Sequence, residues 1–432
     1  MPDYIPERVF GIVPSTSFVV GTVVGTGIYL KPAVVASLLS QPWQIYLIWL
    51  LGGVFATAGA TVYIELARNW PSNGGPFLYL RSTYGPWAAS LLLAADIFLA
   101  RPAAVGALAS GLGLVWGLPY ALGLVLAVTV VVGLSVVQLL GARIQGWSQT
   151  VLTLLQLLPL LAVLCFFAVD GRGSQPEWPV LTNGARWGSA FLAVLWAYDG
   201  WYNITILGGE VERPGKTLRW ALVGGMVFVT GLYLMLNSLL CHQLGYERLT
   251  GESIGILALL SDWNLSWLQT ATQFALTLAM LATLNGTLAC GARMIVAGAR
   301  EGLLCAAVAV DPTAPRPTVS FTLWCVGLLL LFSGLPLERN LFDSLTEFTA
   351  VVVAILSTLT VTCVFHGKLF AQVPSRWVLT AAGCYLLIAS GLLGLLISES
   401  HWLALAGVVT VSLVGTFLWF RRQTLPLAPR GH

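Results

Sequence analysis

Two short stretches of this sequence place groups that could hold a charged ligand inside apolar runs. The first is Gly25-Thr26-Gly27 within VVGTVVGTGIYLKP, and the second is Asp199-Gly200 within FLAVLWAYDGWYNITILGGEVERPGKT. Glycine is a poor helix former, and a helix that unwinds at mid-membrane leaves backbone N–H and C=O groups free to bind a ligand. An aspartate at that depth is costly unless it faces water, a partner or a substrate.

The glycines of the first stretch have two interpretations. Gly21 and Gly25 form a G-x-x-x-G pattern, which is typical of a face where another helix packs closely. Alternatively, the helix breaks there to bind a ligand, and one helix alone does not separate these two possibilities. The second interrupted run favours the break, because paired broken helices in corresponding positions of two halves indicate a binding site near the midplane.

Helix ends determine what such a site can bind. A half-helix that starts near Ile28 presents unpaired N–H groups and a positive dipole end, which suit a carboxylate. The carbonyls at the end of the other half-helix, around Trp196–Tyr198, accept hydrogen bonds from an ammonium group. A zwitterion satisfies both ends, so we expect an α-amino acid as the ligand.

The composition predicts that helices in a membrane position these groups. Hydrophobic residues make up 57% of the 432 residues and charged residues 9%, against roughly a quarter charged in soluble domains. The apolar runs lack the alternation of an outer-membrane barrel, so we predict an all-α integral membrane protein. We expect about twelve spans, at 9–39, 43–69, 86–115, 119–141, 147–169, 187–211, 217–243, 266–297, 318–335, 341–366, 376–397 and 402–420.

The short connectors predict one transmembrane domain over residues 1–432. If the first ten helices form two inverted five-helix repeats, these cover 9–169 and 187–366, with two further helices over 376–420. Met1–Arg8 lacks the basic start of a cleavable signal peptide, so we expect the first helix to be retained.

Basic residues predict the orientation. Of 21 lysines and arginines, fifteen fall on one side of this arrangement, and five, Lys31 among them, fall on the other. Because basic residues collect in cytoplasmic loops, both termini are predicted to be cytoplasmic, in a multi-pass protein of the inner membrane. The net charge of +3 therefore reflects topology and gives no reason to expect nucleic acid as a partner.

Four blocks of sequence now point to a known family. They are GTVVGTGIYLKP, Arg101-Pro102-Ala103, WAYDGW with GGEVERPGKT, and NGTLACGARMIVAGAREG. With these blocks in this order, the chain resembles the L-type amino acid transporter branch of the amino acid/polyamine/organocation superfamily over nearly its whole length. The resemblance implies the inverted-repeat transporter fold with discontinuous helices one and six.

The resemblance also implies roles for particular residues. Backbone groups of Val23, Gly25, Thr26 and Gly27 would meet the carboxylate and amine of the substrate. Carbonyls of Trp196, Ala197 and Asp199 would take the ammonium group, with the Trp196 ring as an outer gate. Asn285, in the helix-eight block, would face the substrate side of the core.

Three departures from the family pattern matter. An ungapped alignment of QTVLTLLQLLPLL places Gln156 where many relatives have a coupling lysine. The connector Trp116–Tyr120 lacks the cysteine that joins eukaryotic members to a heavy chain, so we expect no disulfide-linked partner. Asp199 stands where many relatives that carry neutral amino acids have a small residue. An aspartate in these surroundings is similar to the transporter light chain that exchanges cystine and dibasic amino acids. This similarity suggests cationic substrates, and a diamine is the alternative.

The remaining polar residues offer weaker candidates. Asp96 and Arg101 are five residues apart, which on an α-helix rotates them roughly 140° from each other, so each should need a partner on another helix. Glu210 and Glu212 are either gate contacts or solvated charges. The four histidines and seven cysteines show no metal-ligand spacing, and no catalytic set or cofactor motif is evident.

The sequence therefore predicts a secondary transporter and not an enzyme. We expect exchange of amino acids by alternating access, without a cofactor, with the amino acid and the lipid bilayer as partners. The alternative is a proton-coupled importer of amino acids or diamines, with Asp199 or another buried acid titrating. A channel is the other class, and its flux would rise linearly with substrate concentration.

Overall fold

The computed structural model describes residues 6–39, 41–170, 185–251, 254–305, 315–333, 341–366, 370, 373–398, 415, 416 and 418. Most of the predicted span over 402–420 and most of the connector between 170 and 186 lie outside them. The helices are α1 (Ile12–Val23), α2 (Gly27–Leu38), α3 (Pro42–Asn69), α4 (Pro76–Tyr84), α5 (Pro86–Ala94), α6 (Arg101–Val115), α7 (Tyr120–Gln138), α8 (Ala142–Asp170), α9 (Trp187–Tyr198), α10 (Asn203–Ile206), α11 (Pro214–Leu218), α12 (Gly225–Gln243), α13 (Gly245–Thr250), α14 (Gly255–Asp262), α15 (Ser266–Arg300), α16 (Pro315–Ser333), α17 (Leu341–Thr362) and α18 (Arg376–Ser398).

Most of the predicted apolar runs are helical. In the described residues, eight stretches are long and apolar enough to cross a membrane, namely Ile12–Leu38, Pro42–Asn69, Pro86–Val115, Tyr120–Gln138, Ala142–Ala168, Pro214–Gln243, Ser266–Arg300 and Arg376–Leu396. Shorter apolar helices cover Trp187–Tyr198, Arg316–Leu331 and Thr349–Phe365. These stretches fall on the first eleven predicted runs.

The first run is interrupted, as its glycines predict. α1 ends at Val23, the backbone leaves helical geometry at Val24 with a ψ of 68°, and α2 begins at Gly27. This interrupted stretch is also the most buried of the eight. The break therefore lies inside the bundle, where only protein or ligand groups can meet its freed backbone.

The sixth run is also interrupted, but its second half is shorter than predicted. α9 ends at Tyr198, Asp199 is extended with a ψ of 155°, and Gly200 has a φ of +98°. The chain then forms only the four residues of α10 and a single 3₁₀ turn at Gly208–Glu210. The break therefore extends over Asp199–Tyr202, and the second half of the run has only these two short helical pieces.

Apolar side chains cover the outside of the bundle. Large hydrophobic residues on α7, α8 and α18 are exposed, among them Leu122, Val125, Leu154, Leu158 and Leu387. Hydrocarbon is the solvent in which such a surface is stable. These helices form the perimeter, while α1, α2 and α9 lie inside.

A π-helix corrects the prediction for Asp96 and Arg101. Residues Ala95–Ala100 between α5 and α6 form this segment, and the Arg101 N–H donates to the Asp96 carbonyl. A π-helix bonds residues five apart, so the two side chains lie about one turn from each other. Arg101 donates from Nε to Asp96 Oδ2 at 2.9 Å and from Nη2 to Oδ1 at 2.8 Å, and both are buried. The pair lies within one span, and Asp96 does not need a partner on another helix.

Pro102 explains why the π-helix forms there. Proline has no N–H to donate to the residue four positions earlier, and its ring clashes with that residue's carbonyl. The carbonyl in question belongs to Phe98, and the Trp324 indole donates to it at 3.3 Å. The widened turn relieves the clash, and α16 supplies the missing donor.

Lys31, which the count of basic residues assigned to the outer side, does not lie in a loop. It lies within α2, is buried, and donates from Nζ to Thr346 Oγ1 of α17 at 3.0 Å. A lysine inside a span contributes no topology signal. The predicted asymmetry of basic residues is unaffected, because fifteen still fall on the opposite side.

We expect Asp96 and Arg101 to be strongly coupled. Asp96→Asn or Arg101→Met alone leaves a buried charge without its partner and should destabilise the protein by about 3 to 5 kcal/mol. The double variant Asp96→Leu/Arg101→Met removes both charges and should be closer to the wild type. Thermal unfolding in detergent measures all three.

The control is a second bidentate pair that is exposed. Arg248 donates to Asp262 at 3.1 and 2.8 Å, and its hydrogen bond holds the pKa of Asp262 below the usual value. Since exposed pairs contribute less than about 1 kcal/mol, Asp262→Asn should have little effect. A double variant as unstable as the single variants would contradict strong coupling at Asp96 and Arg101.

Candidate functional site

The two helix breaks touch each other at the centre of the bundle. A side chain at Gly27 would overlap the backbone of Ala197. Thr22 Oγ1 donates to the Gly200 carbonyl at 3.2 Å, and a Cβ on Gly200 would lie 3.0 Å from the Thr22 carbonyl oxygen. With its φ of +98°, Gly200 is a position that only glycine occupies without strain. These glycines therefore bring the breaks into contact.

Tyr233 of α12 contacts both breaks. Its hydroxyl lies 2.8 Å from the Val23 carbonyl oxygen and 2.8 Å from that of Ala197. The hydroxyl has one hydrogen, so it donates to one carbonyl at a time. Sequence reasoning missed Tyr233, because a single tyrosine in an apolar run has no distinguishing spacing.

A small cavity lies beside the breaks. Its volume is about 30 Å³, and its wall consists of Thr22, Val23, Gly25, Thr26, Gly27, Ala104, Leu108, Trp196, Asp199, Gly200, Asn203, Thr283 and Thr287. That volume is about the share of one water molecule in the liquid. Sites for small organic ligands usually measure about 300 Å³ or more, so the cavity is in a closed arrangement.

Some predicted site residues line the cavity and others do not. Six of them do, namely Val23, Gly25, Thr26, Gly27, Trp196 and Asp199. Ile28, Ala197 and Tyr198 lie behind the wall; Tyr198 points away and donates from its hydroxyl to the Trp49 carbonyl at 3.0 Å. The sequence did not indicate the contributions of α6, Asn203 and the two threonines of α15.

Two side-chain oxygens in the cavity wall lack a protein partner. Thr26 Oγ1 and Asp199 Oδ1 are buried and have no hydrogen-bond partner among the described residues. Leaving such groups unpaired is unfavourable, more so for a charged group. Both oxygens are therefore available to a ligand that donates hydrogen bonds.

The nearest cation does not form an ion pair with Asp199. Arg101 is close enough to interact with Asp199 electrostatically. Its guanidinium, however, bonds twice to Asp96 and donates from Nη1 to Asn203 Oδ1 at 3.3 Å. The site thus combines a backbone break with a carboxylate whose Oδ1 is unpaired, and its wall carries no histidine or cysteine.

Asn285 does not face this cavity. Its amide donates to Gln149 Oε1 of α8 at 2.8 Å, and its carbonyl oxygen accepts from Gln138 Nε2 of α7 at 2.6 Å. Thr283 and Thr287, each two residues away, occupy the face of α15 toward the cavity. The prediction had the right helix but the wrong face. Gln156 is buried on α8, also outside the cavity wall.

A second buried ion pair lies close to the N-terminal segment. Arg293 donates to Glu210 at 2.9 and 2.7 Å, Asn73 donates to the same carboxylate at 2.7 Å, and the Glu210 carbonyl accepts from the Val9 and Phe10 amides. Glu212, in contrast, is exposed. Of the two glutamates, Glu210 is therefore the buried and bonded one, and Glu212 is the solvated one.

Comparisons with known proteins find matches over most of the chain. Residues 10–420 match the family described as Amino acid permease. The chain is 30% identical to the serine/threonine exchanger SteT of Bacillus subtilis, over 56% of this chain and 57% of that protein. It is 24% identical to the human b(0,+)-type amino acid transporter 1, over 80% of this chain and 73% of that protein. It is 25% identical to the human cystine/glutamate transporter, over 76% of this chain and 68% of that protein.

We expect Tyr233→Phe to weaken the site by removing the donor shared by both breaks. A typical buried hydrogen bond contributes roughly 1 kcal/mol, which corresponds to about a fivefold rise in KM or fall in turnover. Uptake of radiolabelled amino acid into proteoliposomes measures the change. Tyr29→Phe is the matched control, because the Tyr29 hydroxyl is buried and has no partner among the described residues. Equal effects of both variants would contradict a specific role for Tyr233.

Proposed function

Because the chain belongs to the amino acid permease family, we propose that it exchanges L-amino acids across the cytoplasmic membrane by alternating access. The serine/threonine exchanger among its relatives supports exchange. The two contacting breaks support a binding site at the centre of the bundle. The observation that carries the proposal is the unpaired carboxylate oxygen of Asp199 in the cavity wall.

The backbone would bind the part that all α-amino acids share. The first turn of α2 directs N–H groups toward the break, which suits the substrate carboxylate. The carbonyls at the end of α9, with that of Val23, suit the ammonium group. The Tyr233 hydroxyl lies within hydrogen-bond distance of two of these carbonyls and donates to one at a time, so lone pairs on both remain for the substrate.

Asp199 would extend the substrate range to cationic side chains. Its Oδ1 is buried without a partner, and Arg101 is already bonded to Asp96 and Asn203. The ammonium or guanidinium group of lysine, arginine or ornithine would supply both the missing charge and the missing donor. A neutral amino acid makes no such contact and depends on the backbone alone.

The size of the cavity supports alternating access. A space of about 30 Å³ does not admit an amino acid, so side chains or helices must move before substrate enters. The Glu210–Arg293 pair closes one end of the path in this state. Each transport step would then open one end while the other stays closed.

We propose the following arrangement in the membrane. Twelve spans comprise two inverted repeats over 9–169 and 187–366 and two further helices over 376–420, with both termini cytoplasmic. The bundle of spans one, two, six and seven moves against spans three, four, eight and nine. The connector between α6 and α7 contains no cysteine, which supports a chain that works without a disulfide-linked partner.

We expect Asp199→Asn to abolish uptake of lysine and arginine while sparing neutral amino acids. Asparagine keeps the size of the side chain and removes its charge. Removing a charge that pairs with the substrate costs about 2 to 5 kcal/mol, or at least roughly thirtyfold in kcat/KM. Competition by a panel of amino acids against a radiolabelled substrate in proteoliposomes measures the preference for cationic over neutral amino acids.

Glu212→Gln is the matched control for this substitution. It removes a carboxylate that directly follows the same predicted span, but Glu212 is exposed and lies outside the cavity wall. Both classes of substrate should be carried normally by this variant. Unaltered lysine and arginine uptake by Asp199→Asn would show that Asp199 has a structural role only.

The second candidate is a proton-coupled importer of amino acids or diamines. It is favoured by the same unpaired carboxylate, since a proton can neutralise it as well as a cationic substrate can. Uptake driven by a pH gradient into liposomes without internal substrate would support this candidate. Exchange predicts uptake only when internal amino acid is present, whatever the pH gradient.

A further inference from the structure

α8 has a row of buried glutamines on one face. Gln145, Gln149 and Gln156 are separated by four and seven residues, which at 100° per residue places all three within roughly 40° of one line along the helix. Each is fully buried, and α8 packs there against α1 and α15. From Gln145 to Gln156 the row extends about 16 Å, half the thickness of the hydrocarbon layer.

The protein satisfies only part of this row. Asn285 bridges Gln149 Oε1 and Gln138 Nε2, at 2.8 and 2.6 Å. Among the described residues no partner exists for Nε2 of Gln145, Gln149 and Gln156, nor for Oε1 of Gln138, Gln145 and Gln156. Six buried amide atoms therefore need partners that the described part of the chain does not provide.

The balance of these atoms identifies the ligand. Three are donors and three are acceptors, and exchanging N and O within an amide leaves the balance nearly unchanged. A cation would satisfy only the acceptors, and an anion only the donors. Water donates and accepts equally, and buried water typically bonds such unsatisfied groups.

The row also lies against the break in α1. A side chain at Gly21 would collide with Thr153 Oγ1 and lie 2.8 Å from Gln149 Nε2. Thr153 Oγ1 donates to the Ser17 carbonyl at 2.9 Å. Gly21 therefore serves close packing. The row lies beside the last turns of α1, just before the unwound segment that follows this helix.

We propose that ordered water molecules bind along this row, between α1, α8 and α15, bonded to the amides of Gln145, Gln149 and Gln156. The water layer joins α1 to α8 through hydrogen bonds that exchange easily. The proposed water accounts for three buried glutamines on α8 that do not line the cavity beside the breaks.

A high-resolution structure of the full chain in a lipid nanodisc tests the proposal directly. Density for water within hydrogen-bond distance of the Gln145 and Gln156 amides is the expected result. Closely packed apolar side chains around both amides, with no such density, would overturn the proposal.

Thermal unfolding of two methionine variants gives an independent test. Methionine matches glutamine in size and cannot bond water. At a hydrated site, Gln145→Met and Gln156→Met each remove a hydrogen-bond partner from the water that also bonds the neighbouring amides. Each variant should therefore lower the Tm by several degrees. At a dry site, each would remove an unpaired amide and raise the Tm, which would overturn the proposal.

Leu155→Met is the matched control. It introduces the same side chain next to Gln156, but Leu155 is exposed to lipid and makes no polar contact. Its Tm should equal that of the wild type. These measurements involve no transport, so failure of the water site and failure of the proposed function are distinguishable.

Discussion

The contact between the two helix breaks is the constraint on which the rest of the structure depends. A break inside a membrane protein frees backbone groups where neither water nor lipid can satisfy them. Here part of that backbone is satisfied inside the bundle, by the bond from Thr22 to the Gly200 carbonyl and by the hydroxyl of Tyr233, which lies between the Val23 and Ala197 carbonyls. Substrate binding can then use the remaining lone pairs and N–H groups without leaving an unstable empty site.

The buried charges follow the same rule, with one exception. Arg101 and Glu210 are each held by two or more hydrogen bonds within the bundle. Asp199 keeps an oxygen with no partner among the described residues. We therefore propose that binding, by substrate or proton, supplies the partner that this oxygen lacks.

The sequence predicted the breaks and Asp199 because glycine and aspartate are conspicuous within apolar runs. It did not predict which helix faces meet. Asn285 was placed on the wrong face because the rotation of a buried helix depends on its neighbours when all its sides are apolar. The separation of Asp96 and Arg101 was wrong because α-helical geometry was assumed across a π-helix that Pro102 induces. Tyr233 could not be found, because its role exists only after three spans come together.

The hydrogen bonds at the centre also indicate which spans move together. Tyr233 joins α12 to the end of α1 and the end of α9 at 2.8 Å, and Tyr198 joins α9 to α3 through the Trp49 carbonyl at 3.0 Å. Bonds also cross from this group to α8 and α15. Thr153 of α8 donates to the Ser17 carbonyl at 2.9 Å, and Arg293 of α15 donates to Glu210 at 2.9 and 2.7 Å. The proposed movement therefore requires these bonds to break. The unpaired amides of α8 lie along this same boundary, where water can replace one hydrogen bond with another as the surfaces separate.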